Sequence, residues 1–170
     1  ETATALLEFF ADRLKVHLRE QGVRHDRVAA VFGLGQQDDL VKLMAQVAAL
    51  SSFLETYDGA NLLTAYRRAA NILAAEEKKD GAKQVGAPDN ALFAQAEETA
   101  LADALKQSAG TLPDALKTEA FDAAMALLAG LRGPTDAFFE HVTVNADDPA
   151  LRVNRLKLLG GITDTMSQVA

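Results

Sequence analysis

The sequence predicts an all-α protein, an antiparallel bundle of about six to eight helices joined by short loops. Three observations carry this expectation. Apolar residues recur at three- and four-residue spacing almost from end to end. β-branched residues are scarce, and no alternating apolar–polar run exceeds His141 to Val144. No motif repeats at a period of about 20–50 residues, which argues against a solenoid.

In the first segment Leu6, Leu7, Phe10, Leu14 and Leu18 form one stripe, and Gly22 stands where a C-terminal glycine cap belongs. A short helix is expected from Asp26 to Phe32, ended by Gly33-Leu34-Gly35. The clearest pattern runs from Asp38 to Glu55. Leu40, Leu43, Met44, Val47, Leu50 and Leu54 share a face, and Asp38 and Asp39 sit at the positive end of the helix dipole.

After Asp58-Gly59, a helix over Ala60 to Lys78 carries Leu62, Leu63, Tyr66, Ala69, Ala70 and Leu73, with Lys78 and Lys79 at its negative end. Asp80 to Asn90 is a loop rich in Gly, Pro, Asp and Asn. A more polar helix is expected from Ala91 to Ser108. Thr111-Leu112-Pro113-Asp114 has capping-box spacing with Pro just inside a helix start, and that helix is expected to run through Phe121, Met125 and Leu128 to Gly130. Pro134 opens a short helix with Phe138, Phe139 and Val142. Asp148-Pro149 opens the last, with Leu151, Leu158, Leu159, Ile162 and Met166 inward.

A chain of 170 residues fits a single domain over residues 1–170. A domain of this size buries roughly 70% of the surface that its unfolded chain exposes, so it needs no staple. Cysteine is absent, which excludes disulfides, zinc–thiolate sites and cysteine nucleophiles. Seventeen basic against 24 acidic side chains leave a net charge of −7. That balance opposes general nucleic-acid binding, which rests on phosphate neutralisation, and no DNA partner is expected. No run of about 18 apolar residues is present to span a membrane. The start, Glu1-Thr2-Ala3-Thr4, lacks both an initiator Met and a basic leader, so the chain is expected to be a piece of a longer cytoplasmic protein.

Catalytic chemistry is hard to place. His17, His25 and His141 show no metal-ligand spacing, and His25-Asp26 lacks the further His and Asp ligands of a metal phosphohydrolase. Gly33-Leu34-Gly35 and Gly160-Gly161 are not phosphate loops. The acidic pairs Asp38-Asp39, Glu76-Glu77, Glu97-Glu98 and Asp147-Asp148 read as helix starts and polar faces, with no burial suggested. No catalytic and no metal-binding residue is expected. The candidates are binding groups. Arg67, Arg68 and Asn71 ride one helix beside Tyr66, and Arg152, Asn154 and Arg155 crowd the start of the last. Arginine forks and amides near an aromatic ring read splayed RNA bases, but the same residues also make ordinary surface ion pairs.

The wording of two segments resembles a family. DGANLLTAYRRAANIL (58–73) and LRGPTDAFFEHVTVNADDPALRVNRLKLL (131–159), in that order, are similar to the β subunit of the bacterial heterotetrameric glycyl-tRNA synthetase, as is FFADRLKVHLREQGVRHDRV (9–28). Asp148-Pro149-Ala150-Leu151-Arg152 is similar to the DALR signature of all-α anticodon-binding domains. The resemblance implies a C-terminal DALR-like domain that recognises the anticodon of tRNA-Gly, with Arg67, Arg68, Asn71, Arg152, Asn154 and Arg155 as candidate contacts. It also implies a partner α subunit that carries out glycylation. ATP and Mg²⁺ would serve the whole enzyme, with no cofactor bound in this part. For Arg152 the alternative is a brace paired to Asp147 or Asp148. The rival function is a non-catalytic helical scaffold for protein–protein assembly. An exposed apolar patch would favour the scaffold, and a basic strip linking Arg67 with Arg155 would favour RNA.

Overall fold

The computed structural model describes residues 40–169, so the two helices expected between Leu6 and Phe32 lie outside the described residues. Five α-helices follow in order: α1 (Leu40–Glu55), α2 (Tyr57–Asp80), α3 (Ala96–Lys117), α4 (Phe121–His141) and α5 (Pro149–Met166). A single 3₁₀ turn, Asn90–Leu92, interrupts the loop between α2 and α3, and the described residues contain no strand. The all-α expectation holds. The helix count does not, because six helices were expected over this stretch and five form.

The difference lies at two prolines. α3 runs through Gly110 and Pro113, and α4 runs through Gly130, Gly133 and Pro134. An interior proline removes a helix hydrogen bond and crowds the carbonyl four residues back. Burial outweighs that cost here. Leu101, Leu105, Ser108 and Leu112 form one unbroken buried stripe across the expected first break, and Leu128, Leu131, Thr135 and Phe138 do the same across the second. Gly133 also has no Cβ to clash with the Pro134 ring. Thr111 does not cap a helix; its hydroxyl donates to the Gln107 carbonyl at 2.6 Å.

The chain breaks instead after Lys117. Glu119 takes a left-handed conformation at φ 60°, while its N–H bonds to Leu116 O and that of Ala120 to Ala115 O. Those paired bonds satisfy the last carbonyls of α3 in a Schellman closure, the role usually given to glycine. α2 likewise starts earlier than expected, at Tyr57. Thr56 caps it by accepting from Gly59 N, while its own hydroxyl donates to Phe53 O. Gly59 is therefore a close-approach residue inside the first turn, since a Cβ there would lie 1.9 Å from Phe53 O.

α4 packs on α1, α2 and α3, and α5 closes against α2 and α3. Leu62, Ala69, Leu101, Leu112, Leu128, Phe138, Leu156, Leu159 and Ile162 lose all solvent contact in the shared core. Each such leucine contributes roughly 1.5–3 kcal/mol of burial. Gly161 lets α5 approach α3, because a Cβ there would meet Leu105 Cδ1 at 2.8 Å. No described helix is long and apolar enough to cross a membrane.

Candidate nucleic-acid interface

The six sequence-predicted binding residues fall into two sets with different surroundings. Arg67, Arg68 and Asn71 stand on the exposed side of α2, opposite the face that buries Leu62, Ala65 and Ala69. The Arg68 guanidinium lies over the Phe139 ring, 4.5 Å from its centroid. Phe139 in turn meets Phe138 edge-on, at 5.8 Å and 73°. A cation–π contact of this kind orients the guanidinium without using its N–H donors. No hydrogen bond or ion pair holds the Arg67 or Asn71 side chain among the described residues.

Arg152, Asn154 and Arg155 are gathered at the start of α5, and each is held by two or more side-chain hydrogen bonds. The Arg152 Nη2 donates to Glu76 Oε2 and to both Asp80 oxygens at 3.0 and 2.8 Å, and its Nε donates to Asn145 Oδ1 at 3.2 Å. Asn145 returns a bond to Glu76 Oε1 at 3.1 Å. The brace expected for Arg152 therefore exists with different partners. Asp148 is spent on capping α5 through Ala150 N and Leu151 N, so the carboxylates that hold Arg152 come from the end of α2.

Asn154 is buried and pairs with the backbone of one residue. Its Oδ1 accepts from Asp89 N at 2.6 Å, and its Nδ2 donates to Asp89 O at 2.9 Å. Arg155 is only 6% exposed. Its Nε donates to Glu98 Oε1 at 2.8 Å, its Nη1 to Thr143 O at 2.8 Å, and its Nη2 to Gln95 Oε1 and Glu98 Oε2 at 3.4 Å. These three residues tie α5 to the loop after α2, the start of α3 and the link after α4.

The electrostatics follow the geometry. The Arg152 bond, helped by Asn145 and Lys79, holds the Glu76 carboxyl below its ordinary range. Burial pushes the Glu98 carboxyl upward, but bonds from Arg155 and from the Ala94 and Gln95 N–H groups outweigh it, and the net shift is downward. Glu76 and Glu98 are the residues that sequence reasoning missed, since their pairs were expected on solvated faces. Spacing carried the signal. Glu76 continues the Leu62–Ala65–Ala69 stripe of α2, and Glu98 precedes Leu101 and Leu105 on the buried stripe of α3. Among the described residues no group of three or more His, Asp or Glu side chains is arranged to hold a metal. His25-Asp26 and Gly33-Leu34-Gly35 lie outside the described residues.

The described residues thus form a five-helix bundle with a polar clamp at the DALR-like segment and an exposed Arg–Arg–Asn strip on α2. The profile of the DALR anticodon binding domain family matches residues 62–169, more than half of the chain, and the chain belongs to that family. Over 166 residues it is 60% identical to the glycine–tRNA ligase β subunit of Rhodospirillum centenum, covering 97% of this chain and 23% of that one. It is 58% identical over 165 residues to the same subunit of Phenylobacterium zucineum (97% and 24% covered) and 48% identical to that of Cereibacter sphaeroides (97% and 24%). The chain spans about a quarter of the length of the curated relatives it matches.

Proposed function

We propose that residues 1–170 form a single domain that recognises the anticodon of tRNA-Gly within a longer glycine–tRNA ligase β subunit. The observation that carries this reading is the division of labour among the basic groups. Arg152, Asn154 and Arg155 are consumed in holding the loops, whereas Arg67, Arg68 and Asn71 keep free donors on a rigid, exposed helix. A guanidinium fork and an amide beside an aromatic ring can hydrogen-bond an unstacked base edge and stack on its face. The domain supplies binding free energy and position, and the chemistry proceeds elsewhere. A partner α subunit carries the ATP- and Mg²⁺-dependent glycylation, this domain holds no cofactor of its own, and the enzyme works in the cytoplasm.

Among the described residues the exposed surface offers few large apolar side chains to a scaffolding role. Only Tyr57 and Val85 are large hydrophobic residues in open solvent among the described residues, and they are well separated in the sequence. An assembly surface needs a contiguous apolar patch. Because Arg155 is interior, the basic surface does not continue from Arg67 to α5 by that residue. Binding of tRNA-Gly and of anticodon-substituted tRNAs to the full-length β chain tests the reading. Preference for the native anticodon is expected, and equal affinity for every tRNA would refute it.

A further inference from the structure

A cleft of about 570 Å³ lies between the loop after α2, helix α3 and helix α5. That volume falls within the range of about 300–1,000 Å³ typical of small-ligand sites. Three non-adjacent elements each bring one lysine to it: Lys83 from the loop, Lys106 from α3 and Lys157 from α5. Asp164 is the sole acidic residue among its lining groups. In a chain with 17 basic and 24 acidic side chains, this is a local inversion of charge. None of the three lysines enters an ion pair among the described residues.

The wall between the lysines is apolar. Val85, one of two large hydrophobic residues left in solvent, stands at the cleft with Leu73, Pro88 and Leu105. Gly160 and Gly161 line the cleft from α5. A Cβ at Gly160 would meet nothing within 4 Å, so the missing side chain leaves that part of the cleft open.

We infer that this cleft receives one unstacked nucleotide of single-stranded RNA, with the lysines on its flanking phosphates and the apolar wall against the base. This rests on the tRNA reading above and adds a second contact surface to it. Lysine is a compact, mobile point charge suited to phosphate, whereas the α2 arginines suit base edges. Leu73 lines the cleft from the side of α2 away from Arg67, Arg68 and Asn71. The two surfaces therefore engage different nucleotides.

The test compares tRNA affinity across salt concentrations for the full-length β chain in its assembly. Lys83→Gln, Lys106→Gln and Lys157→Gln should each lower the salt slope by about 0.7, and the triple variant by about 2, the increment per neutralised phosphate of a single strand. Gly160→Leu fills the cleft without changing charge and favours the helix. It should weaken binding by on the order of tenfold, the size of one lost base contact. Circular dichroism checks that each variant keeps its helix content. Unchanged affinity and slope in the triple lysine variant and in Gly160→Leu, with weakened binding by Arg67→Ala, would overturn the cleft and leave the anticodon reading standing. Absence of tRNA binding by the unaltered assembly would overturn both.

Discussion

Arg155 and Glu98 form a two-point ion pair inside the bundle, with Nε to Oε1 at 2.8 Å and Nη2 to Oε2 at 3.4 Å, and Glu98 has no solvent exposure at all. Four further bonds complete it: the Arg155 Nη1 donates to Thr143 O and its Nη2 to Gln95 Oε1, and the Ala94 and Gln95 N–H groups donate to Glu98 Oε2. The pair thus locks the start of α3, the link after α4 and α5 into one unit. Removing one partner strands the other charge in the interior. Arg155→Ala or Glu98→Ala should each cost about 3–5 kcal/mol of stability, measured by urea unfolding. Anticodon preference of any folded remainder should stay unchanged, because Arg155 braces the fold.

Acid should loosen the same region. The Glu76 and Glu98 carboxyls both sit below their ordinary value of 4.5 in the folded protein. The unfolded chain therefore binds more protons than the native one in the window below that value. Stability is fully present above about pH 4.5 and is lost as pH falls through the folded pKa values. Urea midpoints measured from pH 7 to pH 3 should decline only in the acidic part of that range. In Glu98→Gln the acid-dependent loss should shrink.

Much of this was legible in the sequence, and the failures share one cause. The stripes of α1, α2 and α5 and the loop over residues 80–90 follow directly from apolar spacing and turn composition. Pro113 and Pro134 misled because local propensity was read as a boundary, whereas the buried stripes through Leu112 and Thr135 continue past them. Glu119 closes α3 without the glycine that marks most such closures. At the site, residue type put Arg152, Asn154 and Arg155 forward as RNA contacts and gave no sign of the partners that engage them in the fold. Those partners, Glu76, Asp80, Glu98 and Asp89, stand 57 to 76 residues away in the chain. Pairing across that distance is a property of the folded bundle.

The continuous α3 helix makes a direct prediction. Pro113 is exposed and denies Ala109 O its normal donor. Pro113→Ala should restore that bond and stabilise the domain by about 1–2 kcal/mol, the helix gain being offset in part by a freer unfolded chain. A helix that began at Pro113 would instead lose stability on this change. Thermal unfolding followed by circular dichroism distinguishes the two.

Two glycines should respond in opposite directions. Gly59→Ala places a Cβ 1.9 Å from Phe53 O, and backbone cannot yield as a side chain can. The turn between α1 and α2 must open, at a cost of about 1–3 kcal/mol or more. Gly160→Ala meets nothing within 4 Å and should gain roughly 0.5–1 kcal/mol of helix stability. Calorimetric unfolding of both variants checks the pair.

The central claim is that the exposed face of α2 reads the anticodon, while the polar clamp on α5 holds the fold. The most direct measurement is aminoacylation by the assembled enzyme carrying Arg67→Ala or Arg68→Ala, with native and anticodon-altered tRNA-Gly. The account predicts a loss of about 1–3 kcal/mol in kcat/KM for the native tRNA and relaxed discrimination at one anticodon position, with helix content intact. Unchanged efficiency and unchanged anticodon preference in both variants would contradict it.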